Sequence, residues 1–260
     1  MPERDPQLPD LSGKSVVVTG GEGGIGRGIV RRFAAAGARV LIHYRSSAER
    51  AGAFADELRA EGYDVETAAA DLRDPAQAER LMQDAVRLIG GVDVLVNNAG
   101  VQPVQPLDEM TSDDWREVVD ANLNAVFSTT QAAVAVMRAA NRGGSVIHIA
   151  SIEATRPALN HAHYCASKAG IVMHARSSAL EYGRLGIRVN SVSPGLIDRE
   201  GLAEGWPEGV SSWKRNAPLG RLGTSSDIGN ACVFLASDGA GFITGQDLQV
   251  DGGMSAAPSW

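Results

Sequence analysis

The chain has 260 residues, which fits one large α/β domain, and its hydrophobic fraction of 44% is ample for a buried core. Its formal net charge of −7 disfavours a nucleic-acid partner. The N-terminal residues lack the apolar stretch of a signal peptide, and no apolar run approaches the length of a membrane span. We therefore expect a soluble, cytoplasmic protein with no membrane partner.

Short runs rich in β-branched residues alternate with helical segments from residue 14 onward. The predicted strands cover residues 14–20, 38–44, 64–71, 92–100, 144–151, 186–195 and 247–253. This alternation predicts a parallel sheet with helices on both faces. We expect a single-domain, Rossmann-like, doubly wound α/β fold over residues 12–260, preceded by a disordered or extended N-terminal arm at residues 1–11.

Three predicted helices begin with a side chain able to cap the first turn. Such residues bond backbone N–H groups that the helix itself leaves without a partner. Proline at the first helical position, as in Pro75, strengthens the first of these starts. The predicted pairs of N-cap and capping-box residues are Asp74 with Gln77, Thr111 with Asp114, and Thr224 with Asp227.

A glycine cluster joins the first predicted strand to the first predicted helix. The sequence TGGEGGIG at residues 19–26 fits both a GxGxxG and a TGxxxGxG frame. In either frame the glycines permit a tight turn, and the helix N-terminus directs free N–H groups at a pyrophosphate. Because the cluster lies within a predicted βαβ unit, it predicts a dinucleotide site.

The end of the second predicted strand indicates which dinucleotide binds. NAD sites usually place Asp or Glu there to bind the ribose 2′-hydroxyl, whereas this chain has Tyr44, Arg45 and Ser46. An arginine accompanied by hydroxyl groups suits the 2′-phosphate of NADP. The charge of Glu22 in the glycine cluster opposes that phosphate. We favour NADP(H), with NAD(H) as the alternative.

Tyr164 and Lys168 lie four residues apart in a predicted helix, so their side chains share one face. An ammonium beside a phenol favours the ionised form, so we expect the pKa of Tyr164 to fall from about 10 toward working pH. Such a phenol can exchange a proton with an alcohol or a ketone. Taken alone, the pair is better explained by a chance pairing on a solvated helix face, because two common residues four apart carry little information.

Several short motifs occur in a fixed order along the chain. They are the glycine cluster, NNAG at 97–100, Ser151, YCASK at 164–168, SPG at 193–195 and DGG at 251–253. With these motifs the sequence resembles the short-chain dehydrogenase/reductase family, in its compact single-domain form, over nearly all of residues 12–254. The resemblance implies hydride transfer between a nicotinamide cofactor and a secondary alcohol or ketone, or between that cofactor and a sugar hemiacetal or lactone.

The resemblance also implies roles for particular residues. Tyr164 is the implied general acid/base, Lys168 lowers its pKa and binds the nicotinamide ribose, and Ser151 hydrogen-bonds the substrate oxygen. Asn122 matches the catalytic asparagine that supports the lysine through water, and Asn124 is a competing candidate. The other implied cofactor contacts are Gly20, Glu22, Gly24, Ile25, Gly26, Tyr44, Arg45, Ser46, Asp71, Leu72, Asn98, Ala99, Gly100, Pro194, Gly195 and Ile197.

The substrate is less well determined by these motifs. HYRSS and the C-terminal ending resemble bacterial glucose 1-dehydrogenases, NNAGVQ and NLNAVF resemble 3-hydroxybutyrate dehydrogenases, and the general pattern also fits 3-oxoacyl thioester reductases. A polar pocket favours a sugar or polyol, although ordinary loop polarity also explains its residues. The predicted substrate contacts are Gln102, Glu153, His161, His163 and Trp206.

Residues of about 195–220 interrupt the strand–helix alternation. This segment is rich in glycine and polar residues yet contains Trp206 and Trp213. Because insertions after the carboxyl end of a strand commonly cover a ligand in this architecture, we predict a substrate lid. The alternative is an ordinary surface loop.

The expected partner is a small-molecule carbonyl or alcohol, and the resemblance implies a homodimer or homotetramer. No metal site is predicted, because His161-x-His163 lacks a third ligand at recognisable spacing. A hypothesis of another class is a sensor that binds NADP(H) without turnover. Its signature is loss of the tyrosine or the lysine, and both are present.

Overall fold

A computed structural model describes residues 8–256 of the chain. The strands are β1 Ser15–Val18, β2 Arg39–Tyr44, β3 Val65–Ala69, β4 Val94–Asn97, β5 Gly144–Ile149, β6 Ile187–Pro194 and β7 Asp247–Val250. The helices are α1 Gly24–Ala35, α2 Ala48–Ala60, α3 Pro75–Ile89, α4 Ser112–Val119, α5 Ala125–Ala139, α6 Ala162–Tyr182, α7 Leu202–Gly205, α8 Pro207–Asn216 and α9 Ser225–Ala236. A π-helical turn at Asp120–Asn124 joins α4 to α5, and a 3₁₀ turn at Ile152–Ala154 follows β5.

All seven strands run parallel in one sheet, in the order β3-β2-β1-β4-β5-β6-β7. Successive strands are added outward in one direction from β1 to β3 and in the other from β4 to β7, and sheets of this kind leave a crevice at their carboxyl edge where the order changes, between β1 and β4. The predicted doubly wound α/β fold is therefore confirmed. Most strands end earlier than predicted, because the last residues of the apolar runs leave the sheet as loops along that edge.

Helices bury both faces of the sheet, as predicted. In β1, Val16 and Val18 pack in the cluster formed by α1, α2 and α9, whereas Val17 packs in the cluster formed by α3, α5 and α6. All three valines are fully buried. Since a central parallel strand is covered on both sides, its apolar run is continuous instead of alternating.

Two of the three predicted capping boxes are confirmed. Thr111 caps α4 with Asp114, and Thr224 caps α9 with Asp227, each with both reciprocal hydrogen bonds. The third is wrong in one detail. Asp74 does cap α3 through the N–H of Ala76, but the Gln77 side-chain oxygen accepts from the N–H of Asp71 instead of closing a box. The amide of Gln77 thus holds the loop after β3.

The core includes residues that precede residue 12, where the domain is predicted to begin, and Leu8 packs against it. Leu11 is 3% exposed, and its N–H donates to the Ala36 carbonyl over 2.7 Å. Leu11 therefore belongs to the core and not to the predicted arm, whose residues 1–7 lie outside the described residues.

The segment after β6 contains the two short helices α7 and α8. Leu202, Val210 and Leu222 form a small apolar cluster there, with Trp213 packed against it. The segment is therefore a packed unit beside the carboxyl end of β6. Over residues 8–256, no helix is both long and apolar enough to cross a bilayer.

Helices α1 and α9 approach closely at Gly28. A Cβ at this position would lie 2.4 Å from the backbone carbonyl carbon of Ser225, and a Cβ at Gly229 would lie 2.7 Å from the Gly28 oxygen. Neither distance leaves room for a methyl group. Because α1 begins in the glycine cluster, this packing also holds that cluster in place. Gly52 in α2 differs, since nothing lies within 4 Å of a Cβ there.

Gly28→Ala is expected to lower the free energy of unfolding by about 2 kcal/mol, because the added methyl forces two helix backbones apart. The matched control Gly52→Ala is expected to raise it by about 0.5–1 kcal/mol, because alanine has the higher helix propensity. Denaturant unfolding followed by circular dichroism measures both. A Gly28→Ala protein as stable as the wild type would contradict the close packing.

Candidate active site

The carboxyl ends of β1, β4 and β5 bring three of the predicted motifs to one edge of the sheet. The glycine cluster follows β1, the NNAG motif spans the end of β4, and Ser151 follows β5. These strands are neighbours in the sheet, although more than 120 residues separate the first motif from the last. Parallel pairing therefore assembles the candidate site from distant segments.

The glycine cluster forms a tight turn that ends in α1. Gly20 and Gly24 have positive φ angles of 60° and 47°, which side-chain-bearing residues rarely adopt. A Cβ at Gly26 would lie 2.1 Å from the Gly20 oxygen. No side chain caps the N-terminus of α1, so its first amides remain available to an anion.

The NNAG motif is held against the glycine cluster by hydrogen bonds. The Asn98 side-chain amide donates to the carbonyl oxygens of Thr19 and Gly20 over 2.9 and 3.0 Å. The Thr19 hydroxyl accepts from the N–H groups of Asn98 and Ala99. Asn98 and Ala99 therefore line the predicted ribose site while fixing the loop beneath it.

His43 supports the same loop, and sequence reasoning missed it. Its Nδ1 accepts from the Gly20 N–H over 3.0 Å, and its Nε2 lies 3.0 Å from the Ala70 carbonyl oxygen. Burial lowers the pKa of His43 to about 4, so the imidazole stays neutral and Nδ1 remains an acceptor. The sequence signal that could have indicated this role is a histidine within an otherwise apolar predicted strand.

The predicted adenosine side of the site is charged and open. Arg45 and Ser46 are exposed beyond β2, next to a pocket that Asp71 and Arg73 also line. Asp71 forms a bidentate ion pair with Arg73. Hydrogen bonding by Arg73 lowers the pKa of Asp71 to about 2. Asp71 therefore remains ionised at this rim.

Arg50 is a second arginine at this rim that sequence reasoning missed. Its Nη2 donates to the Glu22 carbonyl oxygen over 3.5 Å and would lie 2.6 Å from a Cβ at Gly23. The missing side chain at Gly23 thus makes room for the guanidinium. Arg50 lies in the first turn of α2, four residues after Ser46. The sequence signal that could have indicated it is a cation at the start of the helix that follows the second strand.

The side chains of several predicted cofactor residues pack into the hydrophobic core. The Leu72 side chain is buried in the core formed with α3, and Ile25 and Ile197 pack against the opposite core. The cofactor contact predicted for Leu72 stays a prediction. Pro194 ends β6, and a Cβ at Gly195 would lie 2.7 Å from the Trp213 ring.

Helix α6 places Tyr164 and Lys168 on one face beside Ser151. The Lys168 ammonium is 4% exposed and donates to the Ile149 carbonyl over 2.7 Å. It lies 5.4 Å from the centroid of the Tyr164 ring. Ser151 is buried, and its Oγ accepts from the Glu153 N–H over 3.1 Å. The predicted trio is therefore brought together at the end of β5.

The expected fall in the pKa of Tyr164 is wrong for the protein alone. Burial is the main cause that raises the pKa of Tyr164 to about 12; the charge of Glu153 acts in the same direction, and hydrogen bonding by Ser151 opposes both. The Lys168 ammonium donates to a backbone carbonyl and not to the phenol. Burial also lowers the pKa of Lys168 to about 8.

Asn122, and not Asn124, is the buried asparagine of the π-helical turn. Its side-chain oxygen accepts from the Val101 N–H over 2.7 Å, and its amide donates to the Val101 oxygen and to Ser167. Asn124 is exposed and bonds to Asp120. A Cβ at Gly100 would lie 3.0 Å from the Asn122 oxygen and 3.8 Å from Lys168 Nζ. Asn122 therefore lies where the loop, the turn and Lys168 meet.

Three of the predicted substrate residues form one cluster around Glu153. The His161 Nδ1 lies 2.9 Å from one carboxylate oxygen, and the Gln102 amide donates to the other over 3.1 Å. The Cys165 thiol lies 3.5 Å from the first oxygen. The His161 and Tyr164 ring centroids are 6.0 Å apart. The cluster therefore borders the catalytic candidates.

His163 and Trp206, the other two predicted substrate residues, lie outside the Glu153 cluster. His163 is fully buried, its Nδ1 accepts from the Tyr164 N–H, and its Nε2 has no partner among residues 8–256. The prediction that its side chain contacts substrate is therefore wrong, because consecutive helix positions face different directions. Trp206 is 54% exposed, and its indole packs over Gly209.

The chemical groups of the site suit a nicotinamide dinucleotide. A glycine cradle and uncapped helix amides suit the pyrophosphate. The buried Glu22 Oε2 has no hydrogen-bond partner among the described residues and suits a ribose hydroxyl. Within residues 8–256, no group of three His, Cys, Asp or Glu side chains forms a metal site.

Comparison with known proteins also indicates an oxidoreductase. The family model described as enoyl-(acyl carrier protein) reductase matches residues 20–255. The chain is 37% identical over 253 residues to 3β-hydroxysteroid dehydrogenase 1 of Eggerthella lenta, covering 96% of this chain and 97% of that protein. It is 41% identical over 251 residues to L-rhamnose 1-dehydrogenase (NAD(P)(+)) of Azotobacter vinelandii, covering 94% and 97%.

The fold is also similar to solved structures. A crystal structure of gluconate 5-dehydrogenase from Burkholderia cenocepacia, in complex with NADP and tartrate, superimposes with a TM-score of 0.89 at 32% identity, covering 96% of this chain and 98% of that one. Together with the ordered motifs and their meeting at one sheet edge, these similarities identify the chain. It belongs to the short-chain dehydrogenase/reductase family and is an oxidoreductase acting on CH–OH groups.

Proposed function

We propose that this oxidoreductase interconverts a secondary alcohol and a ketone, or a sugar hemiacetal and a lactone, with Tyr164 as general acid/base. The observation that carries the proposal is the meeting of Tyr164, Ser151 and buried Lys168 beside the glycine cluster. A proton donor, a second hydrogen-bond donor and a cation thus surround one point where a substrate oxygen fits.

The protein's part in the reaction is proton transfer and orientation. When bound, the nicotinamide supplies or accepts the hydride. In the reductive direction the Tyr164 hydroxyl gives its proton to the substrate oxygen, and in the oxidative direction the phenolate takes it back. The Ser151 hydroxyl donates to the same oxygen, where negative charge develops. Lys168 holds the nicotinamide ribose and stabilises the phenolate, with Asn122 fixing the turn beside it.

NADP(H) is the favoured cofactor. Arg45, Ser46 and Arg50 place two guanidinium groups and a hydroxyl at the adenosine rim. No carboxylate of residues 8–256 lies within ion-pairing distance of Arg50, so its charge is available to a 2′-phosphate. Glu22 is the opposing charge. The complex of the similar gluconate 5-dehydrogenase with NADP supports this choice.

A sugar or polyol is the favoured substrate. The L-rhamnose 1-dehydrogenase relative supports a sugar, and the Glu153, His161 and Gln102 cluster offers hydrogen-bonding groups to one. A 3-hydroxy acid and a 3-oxoacyl thioester are the competing substrates. A cofactor-binding sensor without turnover is the competing class of function.

Two further features complete the proposal. The α7–α8 segment beside β6 acts as a lid over the substrate, and Trp206 lies on it. The chain assembles as a homodimer or homotetramer in the cytoplasm, which family membership supports.

Titration with NADPH and NADH, followed by turnover on a substrate panel, tests the proposal. We expect tighter binding of NADPH and turnover of at least one aldose, 3-hydroxy acid or 3-oxoacyl thioester. Tyr164→Phe is expected to lower turnover about 10²- to 10⁴-fold, because the general acid is removed. Tyr182→Phe, at the far end of the same helix, is the control. NADPH binding without turnover of any panel member would instead favour the sensor.

Tyr164 in the protein without cofactor is expected to remain protonated up to about pH 10.5, because its pKa is about 12. Ultraviolet absorbance of tyrosinate, compared between the wild type and Tyr164→Phe, measures this. The two titration curves are expected to coincide below that pH. A wild-type ionisation below about pH 9 that is missing in the variant would contradict the burial argument.

A further inference from the structure

The Glu153 carboxylate is held rigidly beside the candidate catalytic residues. Glu153 lies in the 3₁₀ turn that follows β5, and its N–H donates to the Ser151 hydroxyl over 3.1 Å. Its side chain is mostly buried. The position of its charge is therefore fixed relative to the serine that the proposed reaction uses.

Three neighbouring donors occupy most of its hydrogen-bonding capacity. His161 and Cys165 approach Oε2, and Gln102 donates to Oε1. A carboxylate accepts about four hydrogen bonds, so one position on Oε1 remains for a ligand hydroxyl. The amide and the thiol carry no positive charge, and an imidazole does so only when protonated. The negative charge of Glu153 is therefore not balanced by its amide and thiol partners.

The charge of Glu153 acts on the residues around the proposed reaction point. Burial is the main cause of the pKa shifts of Tyr164, Lys168 and Cys165, and the charge of Glu153 contributes to each of them, so its field covers the phenol, the ammonium and the neighbouring thiol. Two cations lie near in sequence or space. Lys168 donates to the Ile149 carbonyl and is proposed to hold the cofactor ribose, and Arg156 donates to the Met254 carbonyl over 3.4 Å.

We propose that Glu153 determines the substrate class by rejecting anions, so that the site takes neutral polyhydroxylated alcohols and their carbonyl forms and excludes 3-hydroxy acids and aldonates. This inference rests on the proposed function. A neutral hydroxyl donates to the open position on Oε1, whereas a substrate carboxylate meets the like charge of a mostly buried carboxylate.

The test compares substrates that differ only in charge. A 3-hydroxy acid and its primary amide share the reacting carbinol, and an aldonate and its primary amide extend the panel. We expect the wild type to prefer the neutral member by about tenfold or more in kcat/KM. Glu153→Gln keeps the shape of the side chain and removes its charge, and is expected to abolish most of that preference by raising kcat/KM for the acid.

Glu109→Gln is the matched control, since it removes one exposed carboxylate outside the cluster. It is expected to keep the wild-type preference.

Failure of the proposal for Glu153 can be distinguished from failure of the proposed function. A wild type that uses the acid and the amide equally, or a folded Glu153→Gln protein with an unchanged preference, overturns the role of Glu153 and leaves the proposed function intact. Absence of NADP(H)-linked turnover on every member of the panel overturns the proposed function itself.

Discussion

The hydrogen bond from Lys168 to the Ile149 carbonyl is the contact on which the candidate site depends. It joins the middle of α6 to the end of β5 and is buried. A buried ammonium is costly unless it is paired, so α6 cannot slide or rotate without losing that compensation. Tyr164, one turn earlier, is thereby held beside Ser151, which follows the same strand.

The parallel sheet provides the remaining constraint. Because all strands end at one edge, loops far apart in sequence converge there. Each loop is then fixed by specific contacts. Thr19 and Asn98 join the β1 and β4 loops, His43 ties the first of these to β2, and Asn122 ties the NNAG loop to the π-helical turn. Departures from regular α-helix such as this turn occur often at functional sites.

Local patterns predicted the fold and the position of the trio. The apolar runs predicted the strands. The order of the motifs predicted the sheet edge at which Tyr164, Lys168 and Ser151 meet. Properties set by tertiary packing could not be read in this way. The pKa of Tyr164 rises because the phenol is buried, and Lys168 bonds to a backbone carbonyl; the four-residue spacing reveals neither. His163 is buried although its neighbour Tyr164 borders the site.

The most direct test of this account is NADP⁺ binding to Lys168→Met, measured by calorimetry. The described residues give the Lys168 ammonium one acceptor, so its remaining N–H groups are available to the cofactor ribose. Removing a buried charge need not destabilise the fold, so a loss of binding reports on the cofactor site. We predict at least about tenfold weaker binding, from the loss of a charged hydrogen bond, with Lys14→Met unchanged. Equal affinities for Lys168→Met and the wild type would contradict the account.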